Sequence, residues 1–137
     1  MATTRRGFLK LLGAAAVVPI LPGVILEKPA RNRTKIILVE DYIAGFQYYD
    51  GVKPEIAQAF RVSDILRLVR EPQNRYDDQA IQIFTAAGDK LGYVPRAVNE
   101  IPARIADQGF TLEAEIVEID LEAPTWEQVL VKVYLAV

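Results

Sequence analysis

Ala80-Ile81-Gln82-Ile83-Phe84-Thr85-Ala86-Ala87-Gly88-Asp89-Lys90-Leu91-Gly92-Tyr93-Val94 is a pair of short runs divided by a Gly-Asp pair. In the first run Ile81 and Ile83 share one face and Gln82 and Phe84 the other, the period of two that marks a half-buried strand. Gly88-Asp89 supplies the turn, so the segment predicts an antiparallel hairpin. The same alternation recurs in Leu112, Ala114 and Ile116, and in Val129, Val131, Val133 and Leu135, predicting strands over 111–119 and 128–136. Upstream, Ile36-Ile37-Leu38-Val39 and Tyr42-Ile43-Ala44-Gly45-Phe46 predict one long strand bent or bulged near Gly45 and closed by a turn at Asp50-Gly51. Another strand is predicted over 65–70, stopped by Pro72. A helix is predicted after Val98, with Asn99 as cap, Pro102 in the first turn, Ile101 and Ile105 on one face, and Gly109 at the C-terminus. Trp126, after Ala123-Pro124-Thr125, is expected to plug the end of the fold. A mainly β chain with one or two helices and about six strands in such a length predicts a small OB- or SH3-like β-barrel.

The 137 residues suffice for one domain and an additional segment, and 51% hydrophobic residues make that domain globular. With no Cys there is no disulfide framework, thiolate nucleophile or thiolate metal site. The absence of His removes the usual near-neutral base and the commonest metal ligand. No Gly-rich phosphate loop ending in Lys-Ser/Thr occurs, and no facing pair of carboxylates is recognisable. Asp77-Asp78 is an acidic pair in a loop, with no third ligand at metal-binding spacing. The expectation is a binding module, not an enzyme, without cofactor or metal, acting as a monomer.

The formal charge of −2 is unevenly spread. Residues 1–33 hold six bases and one acid, whereas residues 34–137 hold ten bases and seventeen acids. Six of those acids fall within 113–127, which contains no base. An acidic domain opposes strong, sequence-independent attraction to phosphate backbones.

Thr4-Arg5-Arg6-Gly7-Phe8-Leu9-Lys10 precedes an uncharged run from Leu11 to Leu26, the plan of an export signal. Its Arg-Arg-x-Phe-Leu-Lys core resembles the twin-arginine signal, which implies engagement of that export machinery and a periplasmic or envelope location. The run is short for a spanning helix and is interrupted by Pro19, Pro22 and Gly23. Ala14-Ala15-Ala16 has small side chains but lies inside the run, so either cleavage occurs near Ala30 or the segment stays attached. The chain thus divides into a signal and linker over 1–33 and a β domain over 34–137.

Leu68-Val69-Arg70-Glu71-Pro72-Gln73-Asn74-Arg75-Tyr76-Asp77-Asp78-Gln79-Ala80-Ile81 ends one strand, crosses a charged loop and begins the next strand. By composition it is a turn-forming loop whose Asn and Asp side chains suit backbone amides. It also sets an aromatic ring, Tyr76, beside an acceptor, Asp77, and an amide, Asn74, able to bond a base or sugar. Together with Gly45-Phe46-Gln47-Tyr48-Tyr49-Asp50-Gly51 and Leu91-Gly92-Tyr93-Val94-Pro95-Arg96, the segment resembles the HIRAN domain family over about residues 36–120. That family carries Gly-x-x-Tyr-Tyr-x-Gly, Leu-x-Arg-Glu-Pro-x-Asn-x-Tyr-Asp-x-x-Ala-Ile and Gly-Tyr-Val-Pro-Arg in this order. Its members are OB-like barrels, known as modules of SWI/SNF-type translocases and also as stand-alone bacterial proteins. The better understood ones bind single-stranded DNA at a free 3′ end.

The resemblance implies roles at matching positions. Tyr48 and Tyr76 would stack on terminal bases, at ~1–3 kcal/mol per base. Asp77 would accept a hydrogen bond from the 3′ hydroxyl and repel a terminal phosphate. Asn74 would bond the last nucleotide, and Tyr93 and Arg96 would touch phosphates. Tyr49, next to Tyr48 in an expected strand, would face the other way as a core or edge aromatic. Gln47 stands where DNA-binding members have a basic residue, so one phosphate contact loses its charge, and weak binding is implied. The residues alone leave the alternatives open: aromatics on a barrel surface also serve as cross-strand partners. The acidic domain and the export signal equally suit a barrel that binds a peptide, glycan or protein partner in the cell envelope.

Overall fold

The computed structural model describes residues 34–136. The twin-arginine-like motif, the apolar run and both candidate cleavage positions lie outside the described residues. Six strands form one antiparallel sheet: β1 Lys35–Tyr42, β2 Ile65–Arg70, β3 Ile81–Phe84, β4 Lys90–Tyr93, β5 Leu112–Ile119 and β6 Val129–Ala136. Their spatial order is β1-β6-β5-β2-β3-β4. Immediately beyond β1 the chain crosses to the far edge of the sheet. Ile43 N–H still donates to the Val129 carbonyl at 3.1 Å, but Ala44 and Tyr93 exchange both backbone hydrogen bonds, at 2.8 and 2.9 Å. That bridge joins the two edges and curls the sheet into the small β-barrel that the strand pattern predicts.

Gly92 is where the two backbones meet. Its φ of 145° lies in a region that side chains rarely adopt, and a Cβ there would overlap the Ala44 carbonyl oxygen and approach Ile43 Cγ2 to 2.7 Å. Closure of the barrel therefore requires glycine at this position.

The core follows the alternation. Leu112, Ala114 and Ile116 of β5 and Val129, Val131 and Val133 of β6 are buried, with Leu66, Ile81, Ile83, Leu91 and Phe46 completing the interior. Each fully buried aliphatic side chain contributes ~1.5–3 kcal/mol, so this interleaved set dominates stability. Irregular pairing between Ile37 and Val39, Ile83 and Phe84, and Ile116 and Glu118 marks bulges. Such bulges increase twist and help a short sheet to close.

Four expectations need correction. The long bent strand ends at Tyr42. Gly45 takes a left-handed conformation (φ 71°), and Phe46–Tyr48 form a 3-10 turn with Phe46 buried. A second short helix, α1 Pro54–Ala57, follows a 3-10 turn at Asp50–Val52. The predicted helix is α2 Glu100–Asp107, followed by Gly109 at φ 95°, but Asn99 makes no side-chain cap. Its backbone is already helical, so its side chain is directed inward instead. Ile101 is exposed, because the small Pro102 and Ala103 form the face that approaches the barrel closely. Trp126 does not plug the barrel: it sits on a 3-10 turn, Thr125–Glu127, and is 60% exposed.

Candidate functional site

The loop between β2 and β3 is organised from both ends by charge. At the end of β2, Arg70 forms a two-pronged ion pair with Asp107 of α2, Nε–Oδ1 at 2.8 Å and Nη2–Oδ2 at 3.1 Å. The same guanidinium donates to the carbonyls of Ala80 (2.8 Å) and Asp78 (3.0 Å). Four of its five N–H groups are used within the protein, so Arg70 acts as a clamp on the loop. The pairing raises the Arg70 pKa and holds the Asp107 carboxyl below its ordinary value, in each case chiefly through their mutual hydrogen bond.

A continuous polar chain crosses the inside of the loop. Lys90 Nζ donates to the Tyr93 hydroxyl at 2.9 Å, and that hydroxyl donates to Glu71 Oε1 at 2.6 Å. Asn74 Nδ2 donates to the same Glu71 oxygen at 3.0 Å, while Asn74 Oδ1 accepts the backbone N–H groups of Tyr76 (2.9 Å) and Asp77 (3.0 Å). Asp77 Oδ1 accepts from Gln79 N–H at 3.0 Å, and Oδ2 from Asn99 Nδ2 at 2.7 Å. Asn99 is fully buried, and its Oδ1 has no partner. The hydrogen bonds from Tyr93 and then Asn74 lower the Glu71 pKa. Burial, followed by the hydrogen bond to Glu71, raises that of Tyr93. These bonds orient the Asp77 side chain as an acceptor, since both its oxygens receive N–H donors and each keeps a further lone pair.

These elements enclose a groove of about 360 Å³ whose lining includes Tyr49, Asn74, Tyr76, Asp77, Tyr93 and Arg96. Five of the seven candidate residues (Asn74, Tyr76, Asp77, Tyr93 and Arg96) are thus gathered in one depression. Tyr76 is 78% exposed. Gln47 and Tyr48 are not among the lining residues: both lie exposed on the 3-10 turn after Gly45, with Tyr48 at 77%. Tyr49 packs edge-on against Tyr93, ring centroids 5.9 Å apart, as an edge aromatic, although a turn rather than strand alternation separates it from Tyr48.

Four further groups belong to this end. Lys90 stands over the rings of Tyr49 (4.6 Å) and Tyr93 (4.5 Å), a base against two of the groove-lining aromatics. Glu71 and Asn99 hold the groove residues. Trp126 presents an exposed ring on the turn adjoining Phe46–Tyr48. Only the Glu-Pro-x-Asn spacing pointed to Glu71. Lys90 was hidden by the β4 irregularity, which brings residues 90 and 93 to one side although their odd spacing separates them in a regular strand.

Two acids of the 113–127 run are engaged by residues of β1 and β6. Glu113 accepts from Tyr134, and Glu115 pairs with Lys35 at 3.1 Å, with Lys132 at 3.9 Å. Glu127, beside Trp126, lies on the turn that packs against the Tyr48 turn. Among the described residues no cluster of three metal-ligating side chains is gathered.

A small antiparallel barrel with an aromatic-rimmed groove, a preorganised carboxylate and nearby bases defines a ligand-binding domain. The chain belongs to the HIRAN domain family, whose model matches residues 37–137. A crystal structure of a Lactobacillus plantarum protein superposes with a TM-score of 0.64 at 29% identity, covering 75% of this chain and 95% of that one. The HIRAN domain of human HLTF superposes with a TM-score of 0.53 at 18% identity, covering 74% and 77%, and shares the fold. The sequence is 26% identical over 88 residues to a putative SWI/SNF-related, matrix-associated, actin-dependent regulator of chromatin, subfamily A member 3-like 1, from Arabidopsis thaliana. That match takes in 58% of this chain and 9% of the plant protein.

Proposed function

We propose that this chain is a non-catalytic module that binds the free 3′ end of single-stranded DNA. Membership of the HIRAN family supports nucleic-acid binding in the coarse sense, and supports a binding rather than a catalytic role. The observation that carries the finer reading is Asp77: a carboxylate held by N–H donors on both oxygens, in a groove that also contains exposed Tyr76 and Arg96. A carboxylate acceptor there attracts a terminal hydroxyl and repels a terminal phosphate. Tyr76 and Tyr48 provide sequence-tolerant stacking faces, and Trp126 adds a third exposed ring. Arg96, Lys90 and Arg75, whose guanidinium lies 5.8 Å from the Tyr76 ring centroid, supply positive charge to the phosphates. Tyr93 and Asn74 act chiefly by holding this geometry, with Asn74 retaining one N–H for the last nucleotide. Gln47 contributes a neutral contact, and affinity is correspondingly weak.

The full chain titrated at low salt against a short labelled strand with a 3′ hydroxyl, the same strand with a 3′ phosphate, and a blunt duplex tests this reading. Binding is expected in the order hydroxyl, phosphate, duplex, and Asp77→Asn should narrow the gap between the first two. Equal affinity for hydroxyl and phosphate ends would discard the role of Asp77. The twin-arginine-like signal supports export, with released DNA as the ligand outside the cytoplasm, and cell fractionation with an Arg5→Lys, Arg6→Lys variant tests it: retention of the variant inside the cell is the expected result.

A further inference from the structure

A second concavity lies at the opposite end of the β2–β3–β4 sheet. It has a volume of about 430 Å³, within the range of ligand sites, and shares no lining residue with the Asp77 groove. The two lie at opposite ends of β2, roughly 20 Å apart for a six-residue strand. Its floor is apolar, formed by Ile56 of α1, Phe60, Ile65 and Leu66. Its charged lining is entirely acidic: Glu55, Asp64 and Asp89, with no Lys or Arg among its lining residues. Asp64 and Asp89 also serve the protein, accepting from Arg61 N–H at 2.8 Å and Thr85 Oγ1 at 3.2 Å, whereas Glu55 forms no ion pair among the described residues.

The backbone here is open and pinned. The ladder between β2 and β3 begins at Arg67, so Ile65 and Leu66 have strand partners only in β5. A short strand edge therefore faces the concavity, the feature to which an extended peptide adds. The adjoining turn is held in a strained form: Ser63 has φ 78°, the one positive value outside glycine among the described residues. Ser63 N–H donates to the Ile116 carbonyl at 2.8 Å, and Ile116 N–H to the Asp64 carbonyl at 3.0 Å. Val62 and Ile65 stay exposed on either side of this fixed turn. An apolar floor, a rim of three carboxylates and an open strand edge select one chemistry.

We propose that this concavity is a docking site for an extended peptide in which apolar residues alternate with Lys or Arg. The apolar side chains enter the Ile56–Phe60–Leu66 floor, and the cationic ones meet Glu55 and its acidic neighbours. The same rim repels a nucleic acid, so the domain joins two ligand classes at separate ends.

The full chain is titrated into a fluorescein-labelled peptide of alternating leucine with arginine or lysine, and into its leucine–glutamate counterpart. Saturable binding of the basic peptide alone is expected. Ala59→Trp, which fills the mouth of the concavity, should abolish it, and Glu55→Lys should weaken it at least about threefold, the scale of losing one exposed charge contact and adding a repulsion. Ala59 and Glu55 lie outside the Asp77 groove, so binding of the 3′-hydroxyl strand reports that both variants are folded, with circular dichroism as a second check. If Ala59→Trp does not fold, Glu55→Lys decides alone. No binding of the basic peptide, equal binding of the acidic one, unchanged affinity in folded variants, or displacement by the oligonucleotide would each overturn the proposal.

Discussion

Two pairs of tyrosines lie at the same end of the barrel and do opposite things. Tyr48 and Tyr76 stand on turns with rings more than three-quarters exposed, and their rings have no aromatic partner among the described residues. Tyr49 and Tyr93 lie on the groove floor, packed edge-to-face under Lys90, with the Tyr93 hydroxyl tied to Glu71. An exposed ring that packs on little contributes little to folding and keeps its whole face for a ligand. A ring inside a hydrogen-bonded chain contributes to folding and reaches a ligand only through what it positions. The rim is therefore expected to be separable from stability and the floor inseparable from it.

The largest effect is expected at the clamp on the loop that carries Tyr76 and, through Glu71, holds Tyr93. Arg70→Ala removes a two-pronged ion pair and two bonds to loop carbonyls from a side chain that is only 15% exposed. The loss is about 2–4 kcal/mol, lowering Tm by about 10 °C or more in a domain of this size. Oligonucleotide binding should fall with it, because the 71–80 loop carries Asp77 and Tyr76. A variant with unchanged Tm would mean that the loop is held by its internal hydrogen bonds alone.

Tyr76→Ala and Tyr48→Ala sharpen the contrast. Each should cost ~1–3 kcal/mol of binding, seen as a higher Kd by anisotropy. Thermal stability should change by under about 0.5 kcal/mol, as is usual for exposed side chains. Tyr93→Phe is the counterpart on the floor: it keeps the ring but breaks the Lys90–Tyr93–Glu71 link. It should destabilise by about 1 kcal/mol and weaken binding only secondarily. Unfolding of both rim variants would erase the distinction and remove Tyr48 and Tyr76 from the interface.

The floor and the rim also differ in how far the sequence disclosed them. Strands β3, β5 and β6 were legible because burial on one face imposes a period of two, as in Leu112, Ala114 and Ile116, whereas the apolar residues of β2 fit neither period and Pro72 marked its end. The exposed tyrosines and Asp77 were legible through the motif alone, since nothing in their spacing distinguishes a stacking ring from a cross-strand partner. Lys90 was not, because an irregularity in β4 breaks the alternation on which the reading depends. Asn99 carries a residue type that usually caps helices, but a tertiary acceptor, Asp77 Oδ2, won the competition for its amide. Trp126 was misread for a related reason: a large apolar residue normally seeks burial, and exposure at a turn is visible only once the turn is built. Local rules failed where the chain is arranged around the groove.

The smallest expected effect concerns the proton on Glu71. Its carboxyl is held below the ordinary value of 4.5 by the Tyr93 and Asn74 hydrogen bonds. A carboxyl with a depressed folded pKa binds its proton more readily when unfolded, so its stabilisation is fully present above the unfolded pKa and is lost as pH falls through the folded one. Stability attributable to Glu71 should therefore be flat at neutral pH, begin to decline near pH 4.5 and disappear at lower pH. Asp107, depressed below 3.8 by Arg70, adds a similar decline at lower pH, which Arg70→Ala removes. Glu71→Gln separates the two contributions: it should lower Tm by a few degrees at neutral pH and flatten the upper part of the acid decline while leaving the Asp107 part intact. Were Glu71→Gln to follow the parent curve throughout, the polar chain beneath the groove would be a consequence of the loop's shape and not one of its causes.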